Sequence, residues 1–189
     1  MKDKVFTVRD ALKKQNFKRI IETVKSGGII VFPTDTLYGI GASIKHKKSI
    51  ERIYRIKKRP RKKPIAILLS SWRQASHIVG RVHQRIRMLM KEYWPGAVTL
   101  IVASGTKKVG LRVPNHKFAL KLISETGPLA TTSANTSGKS PPYKKNQIEK
   151  RIIEEADIVI VDEKPLKGFP STVLDVSSGE VEIIREGSM

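Results

Sequence analysis

The chain has 189 residues, and 37 Lys and Arg against 17 Asp and Glu give it a formal net charge of +20. This length favours one domain over residues 1–189, and a hydrophobic fraction of 39% is inconsistent with a disordered chain. There is no cysteine, which excludes disulfides and thiolate metal sites, and the four histidines lack metal-ligand spacing. No apolar run is long enough for a signal sequence or a membrane span, so we expect a cytoplasmic protein.

Periodicity divides the chain into helices that alternate with buried strands. Apolar residues recur at helical spacing in residues 15–28, 47–60, 71–80, 82–94, 116–127 and 147–156. Extended apolar runs occupy residues 29–32, 64–70, 96–104, 111–114, 128–135, 156–162, 171–177 and 180–186. The alternation, followed by three strands close together in sequence, predicts an α/β fold whose sheet is mixed rather than purely parallel.

The stretch TSANTSGKSPP, residues 132–142, resembles the second half of a P-loop. A Walker A loop needs GxxxxGK[ST], and Ser133 stands where its first glycine should be. Pro141 and Pro142 also disfavour the helix that a P-loop opens. The hydroxyl-rich loop nevertheless follows a predicted strand, at the edge where open α/β sheets bind ligands. Phosphate binding by its amides and a Ser/Thr/Asn turn that caps itself are both compatible with this pattern.

Two other segments place polar or charged groups beside buried strands. Residues 45–63 contain eleven Lys or Arg and the single acid Glu51, and the positive charge of the whole chain predicts a polyanionic partner such as RNA. A solvated helix face would have the same composition. Residues 32–39, FPTDTLYG, put Thr34, Asp35 and Thr36 directly after the first buried strand, where we expect Tyr38 to follow in a tight turn.

Seven segments occur together in an order that resembles the YrdC-like family of threonylcarbamoyl-AMP synthases. They are FPTDTLYG, IKKRPRKKPIAIL, WPGAVTLIV, LRVPNH, ATTSANTSG, FPSTVLDV and IIREG, and the resemblance covers about residues 28–187. The resemblance implies a twisted open mixed sheet with helices on both faces. It also implies that L-threonine, bicarbonate and ATP, with Mg²⁺ held by phosphate oxygens, yield threonylcarbamoyl-AMP and pyrophosphate, the first step of threonylcarbamoyladenosine synthesis in tRNA.

The same resemblance implies the site residues. Its KxR and SxN signature matches Lys57, Arg59, Ser133 and Asn135, which would act in catalysis and bind ATP. Further ATP contacts would be Lys63, Thr99 and Arg185, and threonine contacts would be Thr34, Arg112 and Ser171. Ordinary strand positions are the alternative for Thr99 and Ser171. Cations suit the reaction because it brings a carboxylated amine, itself an anion, against the α-phosphate.

Some features depart from the family or leave a rival open. Many relatives carry Asn-Pro where this chain has Lys63-Pro64, and His where it has Leu68. The chain resembles the short, single-domain members, which implies downstream threonylcarbamoyl transferase proteins as partners. The rival reading is a double-stranded RNA or tRNA binding protein without this catalysis, whose RNA affinity would survive Lys57→Ala and Ser133→Ala because diffuse charge carries nonspecific binding.

Overall fold

The computed structural model describes residues 4–188. Its α-helices are α1 (Val8–Ala11), α2 (Lys14–Lys25), α3 (Lys47–Lys57), α4 (Ala75–Val79), α5 (Gln84–Tyr93), α6 (Lys117–Thr126) and α7 (Lys150–Glu155). Its strands are β1 (Val5–Thr7), β2 (Ile30–Pro33), β3 (Tyr38–Ser43), β4 (Ala66–Leu68), β5 (Val98–Ser104), β6 (Lys107–Arg112), β7 (Leu129–Ser133), β8 (Ile158–Val161), β9 (Thr172–Asp175) and β10 (Glu182–Arg185). Short 3₁₀ turns occupy Trp72–Gln74 and Lys145–Gln147.

All ten strands form one open sheet in the order β1-β8-β2-β3-β7-β4-β6-β5-β9-β10. The pairs β1/β8, β2/β8, β4/β6 and β5/β9 are parallel, whereas β2/β3, β3/β7, β4/β7, β5/β6 and β9/β10 are antiparallel. The predicted mixed α/β fold is therefore confirmed. Strands from distant parts of the sequence become neighbours, so loops that are far apart along the chain meet at one edge.

Helices cover both faces of the first half of the sheet. Along β2, Ile30 and Phe32 join a core cluster that contains residues of α2 and α6. Val31 points to the other face, where Ile53 of α3 and Ile152 of α7 are buried with it. Because side chains alternate across a strand, a run that is apolar at every position must be covered on both sides. The prediction of helices on both faces is confirmed here.

The second half of the sheet is covered by helices on one face only. Val98, Leu100 and Val102 of β5 pack into a third core cluster with Met90 of α5. The alternate residue Thr99 and its neighbour Ile101 point to the opposite face, where they line a cavity instead of a helix. An open surface is thus left on the sheet between β7 and β9.

One predicted turn is misplaced, and two short elements were not predicted. Tyr38 and Gly39 begin strand β3, which pairs with β2, and were wrongly predicted to form a tight turn. Asp35, Thr36 and Leu37 make that turn, stabilised by the Thr34 hydroxyl, which donates 2.7 Å to the Leu37 carbonyl. The short elements β1 and α1 were not predicted either. None of the helices within residues 4–188 combines the length and the apolar character that crossing a bilayer requires.

Candidate active site

A cavity of about 620 Å³ occupies the open surface of the sheet. Its volume is within the range of about 300–1,000 Å³ that is usual for small-molecule sites. All predicted site residues except Lys57 and Lys63 line it, namely Thr34, Arg59, Thr99, Arg112, Ser133, Asn135, Ser171 and Arg185. Residues that are more than 100 positions apart in the chain are thus brought to one hollow by the strand order.

Two of the cavity's cations have no carboxylate partner among the described residues. Arg59 donates from Nε to the Lys63 carbonyl and from Nη2 to the Pro64 carbonyl, both at 2.9 Å. Arg185 donates from Nη2 to the Ser171 carbonyl at 2.8 Å. Partial burial of the guanidinium, followed by the nearby charge of Arg59, lowers the pKa of Arg185. The two guanidinium groups therefore repel each other, and an anion bound between them would relieve that repulsion.

The other basic residues that line the cavity are already paired. Arg112 donates from Nη2 to Asp35 Oδ1 at 2.7 Å, in an ion pair that is nearly inaccessible to solvent. Lys108 and Lys139 contact Asp175 and Glu149, each at 2.8 Å. Since no Asp or Glu lines the cavity itself, Arg59 and Arg185 supply its uncompensated positive charge.

Arg112 is held in place by several neighbouring groups. Besides the Asp35 ion pair, its Nε donates to the Gly96 carbonyl at 2.9 Å and its Nη1 donates to Thr36 Oγ1 at 3.0 Å. The Thr36 hydroxyl lies 3.0 Å from that of Thr34. Burial lowers the pKa of Arg112, while the Asp35 carboxylate opposes that shift. Each terminal nitrogen has one N–H beyond these bonds, and a guanidinium N–H is a suitable donor to a ligand carboxylate.

The hydroxyl-rich loop, which begins at the last residue of β7 and comprises residues 133–139, does not have P-loop geometry. Ser140 and the two prolines after it lie outside any helix, as the sequence predicts. The side-chain amide of Asn135 donates from Nδ2 to the carbonyls of Thr136 at 3.0 Å and Lys139 at 2.6 Å, which closes the loop on itself. Ser133 and Asn135 both reach the cavity wall.

Lys57 supports this loop from behind and does not line the cavity. Its side chain is 1% exposed. Its Nζ donates to the Ser133 carbonyl and, at 2.5 Å, to the Asn135 carbonyl. Burial, followed by the charge of Arg59, lowers the pKa of Lys57 to about 7, whereas Glu149 acts in the opposite direction. Lys57 is therefore in direct contact with both residues of the SxN signature and is directed at the loop's backbone, whereas Arg59 shares the cavity with them.

Thr99, Ser171 and Arg185 form a connected group on the far wall. The hydroxyls of Thr99 and Ser171 are 2.9 Å apart, and Arg185 Nη2 lies 3.3 Å from Ser171 Oγ. Ser171, predicted from the family to contact threonine, thus has its hydrogen bonds with two residues predicted to contact ATP. Gly187 passes so close to the Pro170 carbonyl that a Cβ would overlap it, which explains a glycine after Arg185.

Lys63 is exposed, and its contact with the site is through its backbone, since its carbonyl accepts from Arg59. Sequence reasoning missed the cavity residues Lys108 and Lys139, and it also missed Glu149. Lys108 had a usable signal, because extending the predicted strand 111–114 back to Lys107 puts Lys108 on the same face as Arg112. Across residues 4–188, His, Asp and Glu form no group of three or more suited to a metal ion.

The known proteins that this chain resembles include threonylcarbamoyl-AMP synthases. A family model described as "Telomere recombination", for Sua5, YciO and YrdC, matches residues 22–187. The chain is 28% identical to the threonylcarbamoyl-AMP synthase of Pyrococcus abyssi, over 98% of this chain and 58% of that protein. It is 34% identical to the threonylcarbamoyl-AMP synthase of Bacillus subtilis, over 88% of this chain and 51% of that protein.

A solved structure extends this likeness to the fold. The crystal structure of Pyrococcus abyssi Sua5 complexed with L-threonine matches with a TM-score of 0.89 and 28% identity, over 97% of this chain and 57% of that one. The chain thus spans little more than half the length of the relatives described here. The matched residues 22–187 include every predicted site residue, and the chain belongs to the Sua5/YciO/YrdC family.

Proposed function

We propose that this chain is an L-threonylcarbamoyladenylate synthase, which converts L-threonine, bicarbonate and ATP to threonylcarbamoyl-AMP and pyrophosphate. The observation that carries the proposal is the pair of guanidinium groups, Arg59 and Arg185, that meet in the cavity without a carboxylate partner among the described residues. The names of the curated relatives and the L-threonine in the Pyrococcus abyssi complex support this choice of substrates.

The proposed reaction needs charge neutralisation more than proton transfer. The amine of threonine adds to the carbon of bicarbonate and water is lost, which leaves a carbamate. A carbamate oxygen then forms a bond to the α-phosphorus of ATP, while the bond from that phosphorus to the pyrophosphate oxygen breaks. Two anions approach each other in this step, so fixed cations and positioning supply most of the catalysis.

In this proposal Arg59 and Arg185 bind the phosphate oxygens. A guanidinium group can donate to two oxygens at once, and each of these two is already oriented by backbone carbonyls. Ser133 and Asn135 face the same space from the loop and add neutral donors. The Thr99 hydroxyl is hydrogen-bonded to Ser171, the residue that also holds Arg185. Lys63 and Lys57 contribute by holding Arg59 and the loop.

The threonine would bind at the Arg112 end of the cavity. Arg112 is fixed by Asp35 and Thr36, and its remaining N–H groups suit the amino-acid carboxylate. Thr34 lines the cavity beside them. In this arrangement the amino-acid carboxylate binds at Arg112 and the phosphates bind at Arg59 and Arg185, so the carbamate and the α-phosphate are held in one cavity.

Mg²⁺ would enter with ATP. No carboxylate lines the cavity within residues 4–188, and Asp35 is committed to Arg112, so the residues present fit an ion that is coordinated by phosphate oxygens and water. When bound, the ion neutralises part of the phosphate charge. We further propose that residues 1–189 form one domain, that the product passes to a threonylcarbamoyl transferase acting on tRNA, and that the reaction takes place in the cytoplasm.

An assay with omitted substrates tests the proposal. Purified protein with ATP, Mg²⁺, bicarbonate and L-threonine should release pyrophosphate, and chromatography should detect threonylcarbamoyl-AMP. Leaving out threonine or bicarbonate should abolish both signals, and replacing threonine by glycine should reduce them strongly. Pyrophosphate release that ignores threonine would falsify the proposal, as would the absence of release with all substrates present.

A further inference from the structure

Glu149 precedes helix α7, and its carboxylate serves the neighbouring loop. A residue at a helix N-cap usually accepts a hydrogen bond from the first turn of its own helix. The Glu149 side chain makes no such bond with α7. Its Oε1 accepts from the Thr136 amide at 2.7 Å, and its Oε2 accepts from the Thr136 hydroxyl at 3.0 Å and from Lys139 Nζ at 2.8 Å. The carboxylate is therefore used entirely outside its own helix.

The same loop is held on its other side by Lys57. The ammonium group of Lys57 donates to the carbonyls of Ser133 and Asn135, and the Lys57 carbonyl accepts from the Ser137 amide at 2.8 Å. A cation from the end of α3 thus holds the carbonyl side of the loop, and an anion from α7 holds its amide and hydroxyl side. The two helices share a buried core cluster, so the two holding groups keep a fixed separation.

The charge of Glu149 also reaches Lys57. The hydrogen bond from Lys139, followed by that from the Thr136 amide, lowers the pKa of Glu149 to about 2, so the carboxylate is ionised at neutral pH. Its negative charge opposes the burial and the Arg59 charge that lower the pKa of Lys57. These are the charged groups that act on Lys57, and Glu149 is the acidic one among them.

We propose that Glu149 is a positioning residue for the reaction: it fixes the loop that presents Ser133 and Asn135 to the substrate. This inference rests on the proposed function. It assigns no contact between Glu149 and substrate, because Glu149 does not line the cavity. Removing the carboxylate would let the loop shift relative to Arg59, and a displacement of about 0.5–1 Å is enough to lose catalytic alignment.

The test compares Glu149→Gln and Glu149→Ala with Glu154→Ala, which removes an exposed carboxylate from the same helix. We expect kcat to fall about 10- to 100-fold in both Glu149 variants, with the KM for threonine unchanged, because Arg112 and Thr34 lie outside the loop. The alkaline limb of the kcat profile should move to lower pH, since Lys57 loses its one opposing negative charge. Glu154→Ala should match the wild type. Glu149→Asp, which restores the charge, should return the alkaline limb towards the wild-type position.

Amide exchange separates this inference from the proposed function. If the wild type makes no threonylcarbamoyl-AMP, the proposed function fails, while the inference still predicts faster hydrogen exchange at the amides of residues 136–139 and weaker ATP binding by calorimetry in Glu149→Gln. A fall in kcat accompanied by an equal rise in the KM for threonine, with no recovery in Glu149→Asp, would reduce Glu149 to a general structural role and overturn the inference. Unchanged exchange in a folded Glu149→Gln protein would overturn it as well.

Discussion

Two groups of cations in this chain carry the same charge in different surroundings. The first, which we call the α3 basic surface, consists of exposed side chains just before, on and after that helix: Lys45, Lys47, Lys48, Arg55, Lys58, Arg61, Lys62 and Lys63. The second consists of the cavity cations Arg59, Arg112 and Arg185, each held by hydrogen bonds to a backbone carbonyl or a carboxylate. Arg59 lies within the first group in sequence and within the second in space. Orientation by fixed acceptors, more than the number of charges, therefore distinguishes a binding site from a solvated face.

The largest effect is expected when a cavity cation with a buried partner is removed. Arg112→Ala leaves Asp35 buried without its ion-pair partner, so the free energy of unfolding should fall by about 3–5 kcal/mol. Arg61→Ala breaks an exposed pair with Glu51 and should cost less than about 1 kcal/mol. Urea denaturation of both variants measures the difference. Equal losses would show that the two groups of cations are energetically alike.

A smaller effect, confined to turnover, is expected for Arg59. Arg59→Ala should reduce kcat/KM for ATP about 10²- to 10³-fold, because it removes one of the two cations that lack a carboxylate partner among residues 4–188. Lys62→Ala, three residues along on the exposed surface, is the matched control and should remain within about twofold of the wild type. Pyrophosphate release measures both. An equal fall in the Lys62 variant would mean that the overall field, and not the oriented guanidinium, drives the reaction.

Lys57, the buried cation at the end of α3, predicts a pH dependence of stability. Burial lowers its pKa from 10.5 to about 7, so between these pH values the unfolded chain binds more protons than the folded one. Stability relative to Lys57→Met should therefore rise with pH across this window, by at most about 1.4 kcal/mol per pH unit, and should level off below pH 7. Urea unfolding of both proteins at several pH values tests the sign. A difference that shrinks with rising pH contradicts it.

The smallest effect per residue concerns the α3 basic surface and the rival RNA-binding reading. Replacing Lys47 and Lys48 by Ala should reduce the salt dependence of affinity for double-stranded RNA, by a log–log slope of about 1–2, with pyrophosphate release unchanged. Ser133→Ala should reduce pyrophosphate release and leave the salt dependence of RNA affinity unchanged. Filter binding at a series of salt concentrations, beside the pyrophosphate assay, separates the two surfaces. A loss of RNA affinity in Ser133→Ala would show that RNA binds in the cavity.

Much of the fold and the membership of the cavity could be predicted from local patterns. The residues 29–32 are apolar at every position, which predicts a strand covered on both faces, and the structure has Ile30 and Val31 in different clusters. The turn after β2 was misplaced because Tyr38 and Gly39 resemble turn residues. Gly39 instead allows β7 to approach, since a Cβ there would lie 2.8 Å from Thr131 Cγ2.

The direction of individual side chains could not be predicted. Nothing in the spacing KKRPRKK tells whether Lys57 faces a ligand or a backbone carbonyl, because that depends on where the loop after β7 passes. The contacts of Glu149 depend on the same loop, thirteen residues before it in sequence at Thr136. Such placements arise from tertiary packing, which leaves no periodic signal in the chain.

The edge of the sheet carries a further consequence. Strand β10 pairs only with β9, and all four of its residues are exposed, so it is the kind of element that opens first. It nevertheless supplies Arg185. A nucleotide bound to this guanidinium would connect the outermost strand to the rest of the molecule. Occupancy of the cavity would therefore stabilise this edge strand against local unfolding. Proteolysis near residues 182–185 should accordingly slow when ATP is present.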